Sequence, residues 1–179
     1  MHLDMNLPVV LFTLFVSALL QDMISPTAMF PVKFGFLTAV ACYHAMTKPV
    51  AVGLATLVWA GVLIELLGGL PLFSTISFFL LLYGLLRLMQ RFFLTATLFQ
   101  GTFLVAGVSV VQTLWTYAWL GSSGPSSWQD IFVAAGFSAP AGLVAGFVGF
   151  TICGLTDRLS GNVMPAKANH GILWPEINR

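Results

Sequence analysis

The sequence predicts an all-α membrane protein with six transmembrane helices. Of its 179 residues, 58% are hydrophobic and only 7% are charged, and the mean hydropathy is +0.95. Because soluble domains carry about 25% charged residues, this composition excludes an ordinary soluble domain. Residues 66–86 carry no charge, and a stretch of this length is what a helix needs to cross the hydrocarbon core. The net charge of +1 gives no indication of a nucleic-acid partner.

Short segments rich in proline, glycine or serine divide the apolar sequence into spans. Pro26 and Pro49 mark the first two turns, and the segment 121–127 separates the last two spans. The S-x-x-D pattern at 127–130 is typical of a helix start. We predict spans at residues 7–24, 28–46, 50–67, 71–90, 94–120 and 132–155. They form one transmembrane domain over residues 1–156, followed by a short polar cytoplasmic tail over residues 157–179.

The basic residues are distributed unevenly between the two sides of this six-span arrangement. One side carries only Lys33. The other side carries Lys48, Arg87, Arg91, Arg158, Lys167 and Arg179. Because cytoplasmic loops are enriched in lysine and arginine, both termini are predicted to be cytoplasmic.

The third and fourth spans are predicted to form a helical hairpin with a very tight turn. Gly68 and Gly69 suit the left-handed conformation that closes a helix, and Pro71 suits the first turn of the next. Glu65 lies about four residues before the helix end, and an ionisable residue within a span is a functional candidate. Two interpretations remain open for it. It either caps the turn at the wet interface, or makes a buried polar contact with a partner or another span.

A pair of arginines follows the uncharged stretch. Arg87 and Arg91 are four residues apart and therefore share one face of a helix. They either contact anionic lipid headgroups at the cytoplasmic surface or form part of a protein-docking patch.

Small residues recur along the last span. Gly142, Gly146 and Gly149 fall on one stripe, and such stripes allow helices to approach closely. The stripe is expected to pack within this chain, with a partner helix as the alternative.

The sequence offers little that indicates chemistry. Cys42 and Cys153 both lie in apolar surroundings, where free thiols serve as small apolar side chains. The sequence has no nucleophile–base motif, no H-E-x-x-H metal motif and no phosphate-binding loop. We therefore expect neither catalysis nor a cofactor, and we expect no metal site.

One segment of about 30 residues carries a recognisable pattern. Its matching residues are Gly61, Val62, Leu63, Ile64, Glu65, Leu66, Leu67, Gly69, Pro71 and Leu72, then Tyr83, Gly84, Leu85 and Arg87. This pattern, together with six short spans in a chain of this length, resembles the MreD family, the integral-membrane subunit of the bacterial rod-shape machinery. Two positions depart from the family, which usually has Asp in place of Glu65 and Gly in place of Phe73.

The resemblance implies a non-catalytic scaffold in the bacterial inner membrane. Proteins of this family bind the single-span protein MreC. They act with the MreB filament and with the RodA/penicillin-binding-protein synthase pair that builds lateral peptidoglycan. Partner contacts are then expected at Glu65, Gly68, Gly69 and Pro71 on the outer side and at Arg87 and Arg91 on the inner side.

The alternative function is that of a substrate-binding S component of an energy-coupling factor transporter for a vitamin. Such proteins have the same length and number of spans, and the MreD family resembles them in fold. They need a polar and aromatic ligand pocket near the outer face and usually carry small-residue stripes on the first helix. The first span here has only Ser17 and Ala18, without that spacing, so we favour the scaffold.

Overall fold

Six α-helices make up the part of the chain that the structure, a computed structural model, describes. This part comprises residues 6–24, 33–92, 98–120 and 128–161, without the side chains of Asn6, Arg91 and Phe92. The helices are α1 (Asn6–Met23), α2 (Phe36–Thr47), α3 (Val50–Gly68), α4 (Ser74–Phe92), α5 (Leu98–Leu120) and α6 (Trp128–Leu159). The prediction of an all-α fold is confirmed. The predicted span residues 28–32 and 94–97, and the tail from residue 162 with Lys167 and Arg179, lie outside the described residues.

Length and composition support a membrane protein. Helices α3, α5 and α6 are each long and apolar enough to cross a membrane. The described parts of α1, α2 and α4 are also apolar but shorter.

The boundaries of three helices differ from the predicted spans. Helix α2 begins at Phe36, so the described residues 33–35 of the predicted span 28–46 are not helical. Helix α4 begins at Ser74 rather than at residue 71, because Phe73 has a φ of +69°, which a right-handed helix does not allow. Helix α6 begins at Trp128 and continues to Leu159, past the predicted start of the tail at residue 157. The extra turn at its end places Asp157 inside the bundle, where it is buried.

The helices alternate in direction, so that each end of the bundle collects specific residues. At one end, here called the Gly69 end, α3 terminates and α4 begins, and Trp115 of α5 donates a hydrogen bond to the Ser74 carbonyl at 2.8 Å. At the opposite end, called the Lys48 end, α2 meets α3 and the end of α6. The predicted hairpin turn and the predicted arginine pair therefore lie at opposite ends of α4.

Helix α2 is the centre of the bundle. It packs against all five other helices, and every residue from Phe36 to Met46 is buried. The Tyr43 ring meets the Phe150 ring of α6 edge to face, with centroids 5.2 Å apart. The other helices form a layer around α2, and their outward faces carry exposed leucine, phenylalanine and valine side chains.

The glycine stripe of α6 packs within the chain. A Cβ atom at Gly142 would lie 2.8 Å from the Ala106 Cα of α5, and one at Gly146 would lie 3.0 Å from the Thr102 Cα. Gly149 faces α2 instead, where a Cβ would lie 2.8 Å from that of Ala39. The absence of these side chains is what lets α6 approach both neighbours closely.

Candidate functional site

Glu65 caps the helix that follows it. Its carboxylate is 2% exposed and lies at the first turn of α4. The backbone N–H groups of Thr75 and Ile76 donate to Oε1 at 2.6 and 3.0 Å, and that of Phe73 donates to Oε2 at 3.0 Å. These N–H groups have no partner within α4, and a negative charge at a helix N-terminus is favourable. Glu65 thus caps the turn through a buried contact with another helix of its own chain, and it does not occupy the wet position that the first interpretation expected.

The turn between α3 and α4 depends on one glycine. Gly69 has φ 61° and ψ 27°, the left-handed conformation, and its N–H bonds to the Glu65 carbonyl. The Leu70 N–H donates to the same carbonyl at 3.1 Å. A Cβ on Gly69 would meet nothing within 4 Å, so the backbone conformation alone favours glycine there.

Phe73 stands in an unfavourable conformation at the end of this turn. Its φ of +69° is the single positive value among the non-glycine residues that the structure describes. A side chain in this region costs roughly 1–2 kcal/mol. The Glu65 carboxylate holds the strained backbone in place by accepting its N–H, while the ring itself is 68% exposed.

The exposed part of the turn is apolar. Gly68, Gly69 and Pro71 are exposed. Leu66 and Leu72 are each 68% exposed, as is Phe73. We call Leu66, Leu72 and Phe73, with the backbone of residues 68–71, the turn surface. Glu65 is buried and therefore does not belong to this surface.

Arg87 faces the connection between α2 and α3. Its guanidinium donates to the Lys48 carbonyl at 3.1 Å and to the Tyr83 hydroxyl at 2.9 Å. The Tyr83 hydroxyl donates in turn to the Val50 carbonyl at 3.1 Å, and Gln90 donates to the Met46 carbonyl at 2.9 Å. Helix α4 thereby caps the carbonyl end of α2. Arg91 lies one turn further along α4, with its side chain outside the described set.

A buried ion pair that the sequence did not indicate lies at the Lys48 end. Lys48 Nζ is 2.6 Å from Asp157 Oδ1, and both side chains are almost fully buried. The Tyr43 hydroxyl donates to Asp157 Oδ2 at 3.0 Å. Sequence reasoning assigned Asp157 to the polar tail. The signal that would have placed it is the helical spacing from Cys153, four residues earlier on the same buried face.

Next to this pair lies a buried histidine. His44 is fully buried, and its Nε2 is 2.8 Å from the Thr13 hydroxyl of α1. Its Nδ1 has no hydrogen-bond partner among the described residues. Cys42 and Cys153 are both buried and free, and the described part of the chain holds no group of three metal-ligating side chains. The Thr13–His44 and Tyr43–Asp157 hydrogen bonds connect α1, α2 and α6 at the Lys48 end.

No protein-family model, no curated protein and no solved structure matches the chain. Its function is therefore inferred from the geometry of the bundle and from the pattern around Glu65.

Proposed function

We propose that the protein is a non-catalytic scaffold of the machinery that builds lateral peptidoglycan and maintains cell shape, and that it binds an MreC-like single-span protein. In this proposal the chain crosses the bacterial inner membrane six times, with both termini in the cytoplasm. The MreB filament and the RodA/penicillin-binding-protein synthase pair act with the assembled complex.

The observation that carries the proposal is the geometry of the turn between α3 and α4. The family pattern has an acid at position 65 and usually a glycine at position 73. In this chain the acid caps α4, and residue 73 adopts a φ of +69°, which favours glycine. Both family preferences therefore have a physical reason here, although the chain carries Phe73. The family pattern thus agrees with the backbone conformation of the turn between α3 and α4. This agreement supports the resemblance in addition to the matching residues.

The turn surface is the partner site that we propose. Binding between helices in lipid depends on close packing and a few polar contacts. The Leu72 and Phe73 side chains are exposed, while Glu65 fixes the backbone of Phe73 by accepting its N–H. A rigid turn loses little conformational freedom when a partner binds, which favours affinity.

Co-purification tests this function. The tagged protein is extracted from native membranes in detergent, and the proteins recovered with it are identified by mass spectrometry. We expect an MreC-like protein with the wild type, and at least a tenfold lower recovery with the double variant Leu72→Ala/Phe73→Ala. The matched control is Val144→Ala/Phe147→Ala, which removes two exposed apolar side chains from α6. Recovery of transporter ATPase subunits in place of an MreC-like protein would overturn the scaffold in favour of the S component.

Tagging tests the proposed topology independently. Reporters at the N-terminus and the C-terminus should both report from the cytoplasm, and one at Ser123 should report from the periplasm. A C-terminus found in the periplasm would mean an odd number of spans.

A further inference from the structure

A cavity of about 270 Å³ opens at the Gly69 end of the bundle, between residues of α1, α2, α3, α5 and α6. Residues 33–35, immediately before α2, line it together with Thr38 in the first turn of α2. The N-terminal end of α2 therefore borders the cavity. Because a helix carries partial positive charge at its N-terminus, this border favours an anion over a cation.

The side chain of Gln21 adds a hydrogen-bond donor at this border. Gln21 is 8% exposed and lines the cavity, and its Oε1 accepts the Leu37 N–H at 3.2 Å. Because an N–H group can only donate, this bond fixes the orientation of the amide and leaves its NH₂ group as the free end. The NH₂ group donates to none of the described residues.

A second carboxamide lies on the other side of the same turn. The Thr38 hydroxyl donates to Gln112 Oε1 at 2.8 Å, and Gln112 also lines the cavity. Its NH₂ group likewise donates to none of the described residues. Since Leu37 and Thr38 are consecutive, the two amides bind neighbouring residues of α2, one from α1 and one from α5.

Both NH₂ groups are accessible to a ligand. Among the described side chains, the polar atoms that are fully enclosed and without a partner are His44 Nδ1 and Ser109 Oγ. The amide nitrogens of Gln21 and Gln112 have no partner either, so their absence from this pair means that they retain accessible surface. A buried donor without an acceptor is unfavourable, and an acceptor that enters the cavity removes this cost.

The rest of the lining restricts what such an acceptor is attached to. Ile64, Leu67 and Leu70 form an apolar wall, which suits a hydrocarbon group. Asp22 and Lys33 also line the cavity, but both are exposed and of opposite sign, so that water and salt screen them and they contribute little. The volume lies just below the range of about 300–1,000 Å³ typical of drug-sized ligands, so the ligand is smaller.

We propose that this cavity binds a small monocarboxylate with a short apolar tail. The two carboxylate oxygens accept hydrogen bonds from the NH₂ groups of Gln21 and Gln112 beside the N-terminus of α2. The tail packs against the apolar wall of α3. Inorganic phosphate also offers acceptor oxygens, but it has no apolar group to cover that wall.

Thermal unfolding of the purified full-length protein in detergent tests the site. The probes are sodium butyrate, acetate and phosphate and the neutral isostere butyramide, each compared with sodium chloride at the same ionic strength. We expect butyrate to raise the Tm by 2 °C or more, and to bind about tenfold more tightly than acetate because it buries two more methylene groups. Butyramide should have no effect, because it lacks the charge and brings a further NH₂ group to the two donors. A butyrate effect no larger than that of chloride or butyramide overturns the proposal. A larger effect of phosphate than of butyrate also overturns it and assigns the donors to a phosphate group.

Two variants then test the assigned donors. Gln21→Glu and Gln112→Glu each keep the oxygen that accepts from α2 but replace the NH₂ group with a second, negatively charged oxygen. Each should retain the fold and weaken butyrate binding at least tenfold, since a donor becomes a repulsive acceptor. The matched control is Gln129→Glu, the same change at an exposed position in the first turn of α6, outside the cavity. Undiminished butyrate binding in a folded variant of either glutamine overturns the site. The assay needs no partner protein, so its failure leaves the proposed scaffold function untouched, and the converse also holds.

Discussion

Lys48 and Asp157 form a buried ion pair, 2.6 Å between Nζ and Oδ1, that joins residues 109 positions apart in the chain. It fixes the α2–α3 connection to the end of α6. In the same place Arg87 of α4 bonds to the Lys48 carbonyl. The end of α2, the start of α3 and the end of α6 are therefore connected through Lys48, one of the two residues between α2 and α3.

Removing one member of this pair should be strongly destabilising. Asp157→Leu leaves a buried ammonium without a counterion, and such changes cost about 3–5 kcal/mol. The double variant Lys48→Met/Asp157→Leu should recover most of the loss, because it removes both charges. Unfolding in detergent measures both variants and the wild type. A double variant that is no more stable than the single one would show that the Tyr43 bond, rather than the charge, dominates.

Glu65→Leu should destabilise the protein and lower its level in the membrane. The change leaves three backbone N–H groups at the start of α4 without acceptors, and each costs about 1–3 kcal/mol if no water replaces the carboxylate. Asp22→Asn, at an exposed acid, is the control and should stay within about 0.5 kcal/mol of the wild type. Membrane levels and unfolding curves of the two variants provide the comparison. Equal stability of both would mean that the cap contributes nothing.

Phe73→Gly should stabilise the fold by about 1 kcal/mol. Glycine adopts a φ of +69° without the cost that a Cβ imposes, although it also raises the entropy of the unfolded chain. Leu72→Gly serves as the control, since Leu72 has no positive φ and gains nothing to offset that entropy. The same unfolding assay ranks the two, with Phe73→Gly above the wild type and Leu72→Gly below it. The reverse order would contradict the strain at position 73.

Two glycine-to-alanine changes should have opposite signs. Gly69→Ala places a Cβ at a φ of +61° and should cost about 1 kcal/mol, although no atom lies within 4 Å of the new methyl group. Gly84→Ala, in the middle of α4, also meets no atom and should stabilise by up to about 1 kcal/mol. Thermal unfolding of both variants tests the contrast. Two changes of the same sign would place the turn elsewhere.

The sequence predicts features that depend on neighbouring residues better than features that join distant parts of the chain. The left-handed turn at Gly69 was predictable, because few residues other than glycine tolerate that conformation. Glu65 is recognisable in the sequence as an acid in an apolar segment. Its role as a hydrogen-bond acceptor is not, because that role depends on how the turn places the start of α4 next to its carboxylate. The N–H groups that it caps lie 8, 10 and 11 residues further on.

Longer-range features were beyond the sequence. Asp157 pairs with Lys48 only because α6 continues one turn past the predicted end of the span at residue 155 and meets the α2–α3 connection. A cavity of about 270 Å³ at the Gly69 end lies between residues of five helices, and no residue type in the sequence indicates such a space.

Because α2 is enclosed by five helices, the lipid bilayer does not select its residues. Mutational tolerance along α2 should therefore follow side-chain volume and hydrogen bonding, as in the interior of a water-soluble protein, rather than hydropathy. Thr38 and His44 are accepted there because Gln112 and Thr13 bond to them. On the other helices, the outward-facing leucines and phenylalanines are exposed, so their side-chain volumes should be less constrained than those in α2. Helix α2, the most central helix of this membrane protein, is therefore the helix whose sequence should depend least on contact with a membrane.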